Sequence, residues 1–231
     1  MDGLAKVPVG VGKKNLNVVT INLNDKVIYP VFSQDVNETI SFVEEFAKVV
    51  SLNIKTKIVD AEKSVDFSKC GCEIINNDFE GFVQEIFTDM ATRNNTYKDA
   101  NLDLSSLDEF EERVYILVGV KRFIEQLSQD GKEKLNVLLS KAESSYKLHF
   151  VFVESVSSMS GYTYDEWYKA NIKGSEGLWI GDGIADQYAI KLSKTTSELY
   201  EEIGVEYGFS VVRGRQTLIK LLSSEINEEV E

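Results

Sequence analysis

Residues 27 to 50 constrain the fold more than any other stretch. Val27-Ile-Tyr-Pro-Val-Phe32 is an apolar run of strand length, Ser33 to Asn37 is a polar turn, and Ile40, Val43, Phe46, Ala47 and Val50 then recur at helical spacing. A strand, a short loop and a helix in that order form the skeleton of a phosphate-binding P-loop. A working P-loop reads G-x-x-x-x-G-K-[ST]: the glycines let backbone N–H groups wrap the phosphates, and the lysine reaches them. Between Phe32 and Ile40 there is neither glycine nor lysine. Ser33, Gln34, Asp35, Asn37 and Thr39 are what a nucleotide loop would leave as a vestige. Asp35 and Glu38 fit a capping box instead, the first carboxylate taking orphan helix N–H groups and the second reaching back. Two acids then stand at the positive helix end where a triphosphate would sit.

The length of 231 residues suits one α/β domain spanning 1–231, and 43% hydrophobic residues can fill a sizeable core. The formal net charge of −13 narrows the partners. Binding a duplex or a phospholipid surface needs clustered Lys and Arg, and no basic run is longer than the pair Lys13-Lys14, so neither nucleic acid nor direct membrane contact is expected. Cys70 and Cys72 form a C-x-C pair, but a zinc site needs four ligands and His149 is the only histidine. They read as two reduced thiols, and no metal is expected. The residues after Met1 show no signal-peptide pattern and no apolar run reaches about 18 residues, so no membrane span is expected within this sequence. The natural protein is expected to extend beyond Met1.

Strand-like and helix-like segments alternate, which predicts a mostly parallel sheet covered by helices. Strands are read at 27–32, 55–59, 114–118, 148–153, 178–180, 187–192, 209–212 and 218–222. Helices are read from Ile40, from Phe79 after Asp78, at 121–127, at 131–144 and at 196–202. The expected class is a RecA-like P-loop NTPase fold, a mostly parallel sheet flanked by helices and finished by antiparallel edge strands. Pro30 is awkward in a central strand, which rarely tolerates a missing donor.

The second element of an ATPase is a strand ending in acids that hold magnesium. Val114 to Val118 is such a strand, but Gly119-Val-Lys-Arg122 follows it and offers no side-chain carboxylate. Glu111 and Glu112 precede the strand, at the wrong end for a site at its carboxyl edge. Two missing motifs together argue against hydrolysis, and no cofactor is expected; Mg-ATP is disfavoured. His149 lies in an apolar strand, where a structural role outweighs a general base. Gly181-Asp-Gly183 with Asp186 reads as a tight turn between strands, because an EF-hand loop would need a distal Glu and flanking helices. Thr163-x-x-Glu166 fits a capping box, with Tyr162 stapled to Trp167. Tyr164 and Tyr168, one turn apart, are read either as core or as an exposed patch that anchors a partner.

Pro8-Val-Gly-Val-Gly-Lys13, Asp60-Ala-Glu62, Gly177-Leu-Trp-Ile-Gly-Asp-Gly-Ile-Ala-Asp-Gln187 and Tyr207-Gly-Phe-Ser-Val-Val-Arg-Gly-Arg215 with Leu218 to Leu222 carry a family likeness. Over about residues 7 to 222 the chain resembles the C-terminal ATPase-like module of the EssC family. These are FtsK/SpoIIIE-class membrane coupling proteins of type VII secretion in Gram-positive bacteria. Trp179-Ile-Gly-Asp-Gly183 is the most specific part. The resemblance implies a longer protein with forkhead-associated domains, transmembrane helices and tandem ATPase modules on the cytoplasmic side of the cell membrane. It implies a degenerate last module that recognises secreted substrates and contacts neighbouring ATPase modules. The family's nucleotide residues do not carry over to Ser33–Thr39 or to Gly119. Arg213 and Arg215 leave open an arginine acting on a neighbour. The alternatives are a divergent nucleotide-binding ATPase and a stand-alone acidic partner-binding protein.

Overall fold

The computed structural model describes residues 3–172 and 174–223; both ends of the expected 1–231 domain lie outside them. One ten-stranded sheet organises these residues. Its strands are β1 (Val7–Gly12), β2 (Val18–Ile21), β3 (Ile28–Ser33), β4 (Lys55–Asp60), β5 (Glu73–Ile75), β6 (Arg113–Val118), β7 (Leu148–Ser155), β8 (Gly177–Ile180), β9 (Tyr207–Val212) and β10 (Arg215–Leu221). The spatial order is β2-β1-β10-β9-β8-β3-β7-β6-β4-β5. The stretch from β8 to β5 is parallel, and β9, β10, β1 and β2 extend it antiparallel beyond β8. The expected class, with its antiparallel edge, is the one observed.

Six helices cover the sheet: α1 (Ile40–Ser51), α2 (Phe67–Cys70), α3 (Phe79–Asp99), α4 (Val120–Glu125), α5 (Gln129–Lys141) and α6 (Glu166–Asn171). Strands β3 and β7 are buried at every position, as strands covered on both faces must be. Phe42, Val43, Phe46, Ala47 and Val50 of α1 fill one face with Val31, Val151 and Val153. The other face holds Phe82, Val83 and Ile86 of α3 and Leu135, Leu138 and Leu139 of α5 against Tyr115, Phe150 and Phe152. Edge contacts between Phe82 and Tyr115 and between Phe152 and Trp167 order that layer.

Pro30 is accommodated by register. The Val27 carbonyl accepts from Phe150 of β7 and the Ser33 carbonyl from Val156 just past its end, so the Pro30 nitrogen faces β8, one residue before that ladder begins at Val31–Leu178. No ladder bond is lost. Asp78 starts α3 as expected, its carboxylate accepting from the Gly81 N–H at 3.0 Å.

Other expectations need correction. Residues 187–192 form no strand, only a single bridge between Gly174 and Ile190, and 196–202 holds a short 3-10 turn at Ser197–Tyr200. The Thr163–Glu166 capping box is absent. The Thr163 hydroxyl donates back to the Ser160 carbonyl at 3.1 Å, and Asp165 is the residue before α6. The Tyr162–Trp167 contact does form, with ring centroids 5.7 Å apart.

Candidate functional site

From β3 the chain crosses through α1 to β4 on one side, and from β7 it crosses through α6 to β8 on the other. The topological switch therefore lies at the carboxyl ends of β3 and β7, where open parallel sheets bind ligands. The loop after β3 fills this place with bonds to itself. Ser33 is buried and its hydroxyl donates to the Asp35 carbonyl at 2.6 Å. One Asp35 carboxylate oxygen accepts from the Asn37 backbone N–H at 3.0 Å and from its side-chain amide at 2.9 Å. The Glu38 N–H goes to the Asp35 carbonyl, and the Ile40 N–H to that of Asn37. Thr39 is buried with its hydroxyl donating to the Val36 carbonyl at 2.6 Å. Gln34, Asp35 and Asn37 are exposed. The Asn37, Glu38 and Ile40 N–H groups, and the hydroxyl that a P-loop offers to magnesium, are occupied within the turn.

Glu38 corrects the expected capping box. Asp35 caps as read from the sequence, but it caps a 3-10 turn at Val36–Thr39 that precedes α1. The Glu38 Oε2 is instead buried with no hydrogen-bond partner among the described residues, and a Cβ on Gly181 would lie 3.3 Å from it. Gly183 lies against the Gln34 amide, and its φ of +84° favours glycine there. The Trp179-Ile-Gly-Asp-Gly183 stretch is thus the wall facing the loop. The Trp179 Nε1–H donates to the Gly181 and Asp182 carbonyls at 3.1 and 2.9 Å. An Asp182 carboxylate oxygen accepts from the Ile203 and Gly204 N–H groups at 2.6 and 3.1 Å. The expected turn is there, but a long excursion to Glu206 follows it before β9.

The tip of β6 carries no acid, as expected, yet an acid covers it. Glu62, from the loop after β4, lies over Gly119, where a Cβ would approach its Cγ to 2.7 Å. Arg122 holds this carboxylate through a 2.9 Å ion pair. Asp60 is turned away, accepting from the Glu62, Ser64 and Val65 N–H groups. The residue that sequence reasoning missed is Glu154, buried at the end of β7. Its carboxylate accepts from the Lys121 and Ser155 N–H groups at 2.9 and 2.8 Å. Burial holds its pKa above the ordinary carboxylate value, those two bonds offset part of the rise, and the nearby Glu62 charge adds to it. An acid directly after the apolar run Leu148–Val153 was the available signal.

The remaining candidates lie elsewhere. His149 is at the amino end of β7, buried, with Nδ1 2.8 Å from the Lys26 carbonyl. Cys70 and Cys72 are buried and not disulfide-linked, and burial together with the neighbouring Cys70 pushes the Cys72 thiol up to about 12. Among the described residues no group of three or more His, Cys, Asp or Glu could hold a metal, and no helix is long and apolar enough to cross a membrane. Tyr164 is 85% exposed, with the Lys169 ammonium 5.9 Å from its ring. Tyr168 is 2% exposed and packs on Trp167, so it is core and not a surface anchor. The one-turn spacing fails because α6 begins only at Glu166, leaving Tyr164 ahead of the helix.

Three solved structures superpose on nearly the whole chain. The cytoplasmic domain of EssC matches with a TM-score of 0.72 at 14% identity, over 96% of this chain and 44% of that one. ATPases 2 and 3 of EssC from Geobacillus thermodenitrificans give 0.70 at 15% identity, over 96% and 42%. ATPases 2 and 3 of EccC from Thermomonospora curvata, in complex with a signal sequence peptide, give 0.66 at 16% identity, over 97% and 41%. The fold is that of the EssC and EccC ATPase domains. The chain spans less than half the length of each of these structures. No family model and no curated protein matches it.

Proposed function

We propose that this chain is an ATPase-like module of a type VII secretion coupling protein that binds export substrates or neighbouring ATPase modules and does not hydrolyse ATP. The carrying observation is the self-bonded loop Ser33–Thr39 at the switch point, with the Asn37 and Glu38 N–H groups and the Ser33 and Thr39 hydroxyls occupied within it. Asp35 and Glu38 stand there in place of glycines and lysine, so an incoming triphosphate would meet like charge and no cation. Across the crevice, Arg122 already neutralises Glu62, and the Glu154 carboxylate is committed to two N–H groups. The EccC structure of ATPases 2 and 3 is a complex with a signal sequence peptide, and this supports the partner class. In this reading the module works on the cytoplasmic side of the membrane as part of a longer chain, without direct contact with lipid or nucleic acid.

Phosphate release and Mg-ATP calorimetry on the purified chain test the reading. Release should equal the buffer blank, and the double substitution Asp35→Asn with Glu38→Gln should leave nucleotide affinity unchanged or raise it. Phosphate release that disappears on Thr39→Ala, or micromolar Mg-ATP binding lost in the neutralised variant, would overturn it.

A further inference from the structure

At the opposite, amino-terminal edge of the parallel strands lies a cavity of about 760 Å³, within the size range of small-ligand sites. Its wall includes Lys26, Tyr29, Glu176, Arg213, Arg215 and Thr217. A smaller cavity of about 210 Å³ shares Lys26, Tyr29 and Glu176 with it. Lys26 and Glu176 neutralise each other at 2.8 Å, and Asp25, also in the wall, takes the Asn22 amide at 2.9 Å. Arg213 and Arg215 have no ion pair among the described residues, which leaves the wall with three cations against two acids in a chain of net charge −13. Tyr29 is 4% exposed, and no hydrogen bond within the described residues occupies its hydroxyl. Burial, and then the Glu176 charge, raise its pKa, so it stays a neutral donor.

Arg213 is also held at a conformational cost. Arg213 and Gly214 connect β9 to β10 with φ of +52° and +76°. A two-residue hairpin turn with both φ positive ordinarily takes Asn, Asp or Gly first, and a long side chain there is strained. Gly214 fixes this turn: its N–H donates to the Ser175 carbonyl at 2.7 Å, and its own carbonyl accepts from the Ser193 N–H and hydroxyl at 2.8 and 2.9 Å. A strained, anchored turn that presents two guanidiniums beside a cavity containing an unoccupied hydroxyl is built for an anion. We propose that this cavity binds a multivalent oxyanion, a small molecule bearing phosphate or carboxylate groups, through Arg213, Arg215 and the Tyr29 hydroxyl.

The test is calorimetric titration of the whole chain at low ionic strength with inorganic phosphate, pyrophosphate and citrate. At least one probe should bind saturably at one site per chain; pyrophosphate binding marks a phosphate ligand and citrate binding a carboxylate one. Arg215→Gln should weaken the bound probe roughly tenfold or more, the loss expected for one charge-assisted hydrogen bond. Arg213→Asn should weaken it similarly while melting no earlier than the parent, because Asn suits the left-handed turn. Tyr29→Phe should weaken it by a smaller factor. The pair Lys98→Gln with Lys141→Gln, which removes two positive charges from α3 and α5, should leave affinity unchanged. No saturable binding of any probe, or equal weakening by the α3 and α5 pair, overturns the proposal.

Discussion

His149 is the only histidine, so its titration can be read without interference from another imidazole. It is 1% exposed, its Nδ1 lies 2.8 Å from the Lys26 carbonyl, and its Nε2 is buried with no hydrogen-bond partner among the described residues. Protonation would add a buried charge and an N–H donor with nothing to receive it. Burial accordingly lowers its pKa from the ordinary 6.5, helped by the Arg93 charge, and the Lys26 and Leu23 carbonyls and the Glu112 charge offset only part of that. The unfolded imidazole takes up its proton near 6.5 and the folded one only at lower pH. In that window the unfolded state binds more protons, so stability is complete above about 6.5 and falls as pH drops, levelling off below the folded pKa. The limiting slope for one proton is about 1.4 kcal/mol per pH unit. Between pH 7 and 5 the loss is thus at most about 2 kcal/mol, or just under 1 M in urea midpoint at an m-value of about 2.5 kcal/mol/M. Urea denaturation of the parent and of His149→Asn, which keeps a donor for the Lys26 carbonyl, isolates this contribution from carboxylates titrating at lower pH. The parent should lose more stability than the variant across that range, and the imidazole resonance should titrate below its ordinary value. An imidazole titrating at or above 6.5, or a parent–variant difference independent of pH, would refute the burial argument and reopen a solvent-linked role for His149.

The two tyrosines should separate cleanly. Tyr168→Ala should cost about 3–5 kcal/mol of stability as a core truncation, whereas Tyr164→Ala should stay within about 0.5 kcal/mol, read by chemical denaturation. If Tyr164 anchors a secreted partner, its truncation also weakens capture of a signal sequence peptide in a polarisation assay; unchanged affinity places the contact elsewhere. At the crevice, carboxyl NMR should find Glu154 titrating above the ordinary Glu range, and Glu62→Gln should move that midpoint down by removing a like charge. A midpoint that stays put would mean that Glu62 does not sense Glu154.

What could be read from the residues divides along burial. Strands β3, β6 and β7 are apolar on both faces, so their sequence pattern and their position agree within a residue or two. The cap at Asp78 is local chemistry and was legible for the same reason. Strands β1 and β2 were not: β1 contains Pro8, Gly10 and Gly12, which read as loop, and β2 is mostly exposed. Gly10 is required there because a Cβ would strike the Lys220 carbonyl of β10, a contact invisible without the pairing. The stretch from Gln187 to Glu202 carries strand and helix patterns that tertiary packing overrides. Tyr168 was ambiguous because one short helix can bury two adjacent aromatics when it lies flat on a strand, as Trp167 does against Phe152.

The candidate site divides differently. The missing glycines and lysine were plain in the sequence, whereas what occupies their place was not, because the closure joins segments far apart in the chain. Glu38 meets Gly181, Gln34 meets Gly183, and Glu62 covers Gly119 under Arg122. Each of these contacts uses the absence of a Cβ on one side and a polar chain on the other, so the crevice is filled by mutual fit and not by one bulky residue. Restoring a single P-loop lysine would therefore leave the N–H groups of Asn37 and Glu38 bonded within the turn and the carboxylates in position. The strands beneath cannot be dispensed with, since β3 and β7 are the middle of both core layers. A chain that keeps this core while its carboxyl edge is filled has its open chemistry at the other edge and on its hairpins. That is where Arg213 and Arg215, which have no ion pair among the described residues, the strained turn and the large cavity occur together.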